Sequence, residues 1–93
     1  MQKGREDLIK DLTRKGLFAK IEDPGRPHLF VKLWVRPAWY AIDFDKKQSF
    51  ASVVYAYYFA GTSYADTVII VDAMNGKEIG EYSLRAPGLK LNE

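Results

Sequence analysis

Apolar positions along the chain alternate between blocks of helical spacing and blocks of extended spacing. From Arg5 to Lys15, Leu8, Ile9 and Leu12 form one narrow stripe, with Glu6 and Asp7 early and Arg14 and Lys15 late. That spacing predicts a helix over 5–15 whose charge order suits the helix dipole, with Gly16 as the left-handed residue past its end. Asp7 and Asp11 oppose it slightly, as like charges one turn apart. Leu17 to Glu22 is expected to be extended, and Asp23-Pro24-Gly25-Arg26-Pro27 to turn. His28 to Val35 alternates strictly. Leu29, Val31, Leu33 and Val35 share one face, while His28, Phe30, Lys32 and Trp34 share the other, continued by Arg36. Together these segments predict a hairpin over 17–35.

Between Pro37 and Gly61 lies the longest run without an internal breaker, carrying eight of the thirteen aromatics. Trp39, Ile42, Phe50, Val53 and Tyr57 recur at helical steps, interrupted by Lys46. A neighbouring stripe holds Tyr40, Phe44, Ala51, Tyr55 and Tyr58. Pro37 suits a first helical turn, and Gly61 a left-handed cap. A helix over 38–60 is expected, or one starting near residue 46 if Asp45 and Gln48 form a capping box. The β-branched and aromatic residues from Ser52 to Phe59 also suit a strand. Length favours the helix, because strands beyond about ten residues are unusual.

Thr62 to Ala65 reads as a loop, and Asp66 to Asp72 as a strand rich in β-branched residues. Asn75-Gly76 predicts a tight turn, since both residues tolerate positive φ. Lys77 to Leu84 returns as a strand in which Gly80 marks a bulge or a close approach. Ala86-Pro87-Gly88 ends it, leaving a short tail over 85–93 in which Leu89-Lys90-Leu91 can lie on the sheet. The expected fold is α+β, a two-layer α-β-β-α-β-β domain over 1–93. It has a four-stranded, mainly antiparallel sheet from hairpins 17–35 and 66–84, with both helices on one face.

Composition narrows the function classes. Ninety-three residues suit one small domain, and 47% hydrophobic with 28% charged residues argues against disorder. The absence of cysteine removes disulfides, thiolate metal sites and cysteine nucleophiles. Net charge is +2, unevenly spread, with +4 over residues 1–50 and −2 over 51–93. A separation that mild does not mark a dedicated nucleic-acid binder. No apolar run is long enough to span a bilayer. The N-terminus as written has no apolar leader, so a cytoplasmic location is expected unless a signal peptide has been removed.

Candidate chemistry is sparse. His28 is the one histidine, expected as a solvated surface group, and no phosphate-cradling motif occurs. Asp43 and Asp45 with Lys46 and Lys47 form the densest charge cluster, but carboxylates at i and i+2 of a helix do not converge, so capping explains them. Asp66 and Asp72 read as strand-end residues. No catalytic constellation, metal or cofactor is expected.

The interaction surface expected instead comprises Phe30, Lys32, Trp34 and Arg36 on the outer face of the second strand, with Tyr57 and Tyr58 as further apolar anchors. The first reading is a non-catalytic protein-interaction domain, self-associating as a homodimer through aromatic surface. An alternative uses the Phe30-Lys32-Trp34-Arg36 face to stack bases and neutralise phosphates of single-stranded nucleic acid. A third places a small ligand in a helix–sheet pocket near Trp39 and Tyr40.

Overall fold

The structure, a computed structural model, describes residues 2–23, 30–59, 67–83 and 88–91. Helix α1 (Gln2–Arg14) begins three residues before the periodicity suggested. Its stripe docks as expected, with Leu12 buried and Leu8 and Ile9 half-buried against the core. Cations one turn from each carboxylate offset the Asp7–Asp11 repulsion, Lys3 pairing with Asp7 at 3.4 Å and Lys15 with Asp11 at 3.0 Å. Gly16 takes φ +85°, and the Leu17 amide donates to the Leu12 carbonyl at 3.0 Å, closing the helix.

Strands β1 (Phe18–Glu22) and β2 (Phe30–Val35) pair antiparallel. Their connection, including His28, lies outside the described residues. After β2 comes a short 3-10 turn, Pro37–Ala41, and only then helix α2 (Phe44–Phe59). The continuous helix expected from residue 38 is therefore broken at Ile42 and Asp43. The Asp43 side chain caps α2 by accepting the Lys46 amide at 2.8 Å, so the cap falls two residues before the Asp45–Gln48 box. The helical reading of residues 50–59 holds.

The stripe of α2 that meets the sheet is Lys47, Ala51, Val54 and Tyr55, with Tyr58 half-buried beside it. This matches the second apolar stripe more closely than the first. A helix apolar around most of its circumference has no unique inner face, and packing against α1 and the sheet together selects one.

Beyond α2 lie β3 (Thr67–Asp72), β4 (Glu78–Tyr82) and β5 (Leu89–Leu91). The five strands form one mixed sheet in the order β1-β2-β3-β4-β5, which corrects the four-stranded expectation in two respects. The tail pairs antiparallel with β4 as a fifth strand. In addition, β2 and β3 are parallel, because α2 carries the chain back along the sheet before β3 begins. The β3–β4 turn also differs from a two-residue hairpin. Gly76 takes φ +75° but no non-glycine residue among those described has positive φ. The Gly76 amide instead reaches the Asp72 carbonyl at 2.8 Å, widening the turn.

The core lies between the helices and one face of the sheet. Phe18, Leu33, Val35, Trp39, Val68 and Ile70 are wholly buried there with Ala51 and Val54 of α2. Register shifts in β1 and β4 keep this face apolar. In β4 the shift leaves Ile79 packed against the core while Glu78 pairs with Val71.

Candidate interaction surface

Cross-strand partners share a face, so the register lays out the sheet surface opposite the helices. One row across it runs Lys20, Trp34, Val71, Glu78. The next runs Glu22, Lys32, Ile69, Glu81, Lys90 across all five strands. Phe30 beside Thr67 begins a third. The buried core cluster contains none of these side chains, and α1 and α2 contribute to that cluster. Both helices therefore pack on the other face. Phe30, Trp34 and Ile69 are half-buried and Glu22, Glu81 and Lys90 exposed.

Trp34 is held in place by its neighbours. Its indole N–H donates to Glu22 Oε1 at 2.7 Å, and the Lys20 ammonium lies 4.6 Å from the ring centre. This is a cation–π arrangement on an exposed sheet. Beside it, Glu22, Asp23, Phe30 and Lys32 line an open cleft of about 370 Å³. Arg36 is exposed just past the end of β2.

Tyr57 and Tyr58 do not join this surface. The Tyr57 hydroxyl faces Glu6 of α1 at 3.4 Å, and its ring meets that of Tyr58 edge-on at 5.0 Å. Tyr58 packs against the core. Burial pushes its hydroxyl pKa up, with nearby Tyr57 and Asp23 adding to the effect. Both tyrosines thus belong to the helix layer. Ile69, Glu81 and Lys90 were absent from the sequence-derived set. The alternation of Thr67–Asp72 marks Ile69 as opposite Val68 and Ile70, but only strand order brings it beside Lys32.

Comparison with known protein families, curated proteins and solved structures finds no match for this chain.

Trp39 and Tyr40 separate within the 3-10 turn. Trp39 is 0% exposed and lies 5.9 Å from the ammonium of Lys47, itself 8% exposed. Tyr40 is 42% exposed and donates its hydroxyl to Asp72 Oδ2 at 2.7 Å. The other oxygen of Asp72 accepts the Met74 amide at 2.7 Å, so this carboxylate fastens the β3–β4 turn to the segment after β2.

The Tyr40 hydroxyl, and after it the Met74 amide, hold the Asp72 carboxyl below its usual pKa, against the opposing effect of burial. A lowered native pKa makes the ionised form the stabilising one. Its contribution is complete above the unfolded-chain value of about 3.9 and is lost as pH falls through the lower native value. Urea unfolding from pH 7 to pH 2 should show a shallower acid decline for Tyr40→Phe than for the parent chain. Equal slopes would mean that the bond contributes nothing to folding.

Proposed function

We propose that this protein is a non-catalytic interaction domain that docks a protein partner on the helix-free face of its sheet. The observation that carries this reading is the arrangement of half-buried Phe30, Trp34 and Ile69 as an apolar band, flanked by charge on both sides, on the face away from α1 and α2. An apolar centre within a polar rim is the ordinary anatomy of a protein interface.

Two features weigh against nucleic acid on the same surface. The Trp34 ring is already engaged by Lys20 and Glu22. The cleft beside Phe30 carries two carboxylates for one ammonium, a poor environment for phosphate. The small-ligand reading is weakened by the full burial of Trp39 and by the bond that commits the Tyr40 hydroxyl to Asp72.

A photo-reactive amino acid in place of Ile69 tests the proposal, with one in place of exposed Lys10 on α1 as control. Irradiation in cells producing the chain is expected to give one defined protein adduct from position 69 and none from position 10. Failure to form an adduct at 69 would remove this face as a docking surface. Quenching of tryptophan fluorescence by an oligonucleotide, fading steeply with salt, would favour nucleic acid instead.

A further inference from the structure

We propose that the occupant of this face is a second copy of the chain, docked sheet to sheet about a two-fold axis running along β3. The inference rests on the interaction reading above and names its partner. Its basis is the charge order of the row that crosses all five strands. From β1 to β5 the row reads Glu22, Lys32, Ile69, Glu81, Lys90. The signs are negative, positive, neutral, negative, positive.

A two-fold axis along the central strand reverses that order in the partner. Glu22 then faces the other copy's Lys90, Lys32 faces Glu81, and Ile69 meets its own counterpart. Every charge in the row meets its opposite. In the neighbouring row Val71 is already buried within its own chain, and the Lys20 ammonium, lying over Trp34, faces Glu78. An axis across the strands would instead stack β2 on β2 and β4 on β4. Lys32 would meet Lys32 and Glu81 would meet Glu81, a costly like-charge arrangement. The pattern therefore selects one symmetric docking over the other.

Lys32, Glu81 and Lys90 make no ion pair among the described residues. Glu22 beside Lys32 and Glu81 beside Lys90 are opposite charges on neighbouring strands, a weak attraction that a partner's charges add to. Face-to-face sheets sit about 10 Å apart, a gap that lysine and glutamate side chains from opposite layers can bridge. Five strands about 4.8 Å apart and five or so residues long present a footprint of roughly 400 Å². Stable interfaces bury about 800 Å² per partner. A reversible dimer, with dissociation in the micromolar range or weaker, is the expected strength.

Sedimentation velocity of the full chain, from about 1 μM to 1 mM, reads this directly. The parent chain should pass from monomer to dimer as concentration rises. Lys32→Glu alone and Glu81→Lys alone should each weaken association about tenfold or more, since each places two like-charge contacts in the row. An equimolar mixture of the two single variants should associate, because every facing pair is again opposite in sign. The double variant Lys32→Glu/Glu81→Lys should also dimerise. Unfolding or general surface damage cannot produce that recovery.

A dimer insensitive to both single substitutions would overturn the proposed docking. A monomer at every concentration, with an adduct from position 69 to a different protein, would reject the second copy but leave the interaction reading standing. A monomer with no adduct would reject both.

Discussion

Trp39→Ala is expected to lower folding stability by about 3–5 kcal/mol, the range for deleting a buried aromatic side chain. A domain of this length has roughly 5–14 kcal/mol in total, so the variant should be marginal at best. Trp39 is the largest of the fully buried side chains. It drops from the 3-10 turn into the layer between sheet and α2, so its loss opens a cavity where the crossover leaves the sheet. Its indole nitrogen, however, is buried with no hydrogen-bond partner among the described residues. An unsatisfied donor of that kind costs about 1–3 kcal/mol. Trp39→Phe removes that penalty along with part of the ring volume, and should cost far less than Trp39→Ala. Urea denaturation followed by circular dichroism separates the two. A loss below about 1 kcal/mol for Trp39→Ala would contradict the central place given to this side chain.

Gly80→Ala is expected to release β5 from the sheet edge. A methyl group at Gly80 would stand 2.7 Å from the Lys90 carbonyl oxygen and 2.9 Å from Leu91 Cδ2. The first contact is with backbone, so the strand itself must move. Overpacking of this kind costs about 1–3 kcal/mol. The loss should be concentrated where Gly80 faces Leu91 and Tyr82 faces Leu89. Hydrogen exchange should accelerate in β5 and along the adjoining edge of β4, while β2 and β3 keep their protection. Unchanged exchange in β5 would show that the edge accommodates a methyl group.

Local chemistry made much of this architecture legible. The strict alternation of β2 identified both its buried face and its outer face, and Gly80 was recognisable as a point of close approach. The errors arose where two local solutions were equally good. Asp43 and Asp45 are both competent helix caps, and it is Asp43 that accepts the Lys46 amide. The tail over Leu89–Leu91 was recognisable as able to lie on the sheet, and it does so as a fifth strand beside β4, whereas the parallel seam joins distant segments and left no local mark. For the same reason Phe30, Lys32 and Trp34 were identifiable as one surface, whereas Ile69, Glu81 and Lys90 entered it only through strand order. The tyrosines of α2 were harder still, because on a nearly all-apolar helix composition does not say which rings turn inward.

The parallel seam also bears on how the chain reaches its native state. Facing residues of β2 and β3 are thirty-seven positions apart, as with Val31 and Val68, whereas Ile70 and Gly80 across the next seam are ten apart. Closing the longer loop costs about 1.2 kcal/mol more in chain entropy by the logarithmic loop-length rule. The antiparallel pairs and the helices can form within their own stretches of chain, but the central seam must wait for α2 to bridge it. Of the seams in the sheet this one is expected to form late, leaving the edges of β2 and β3 exposed longest during folding.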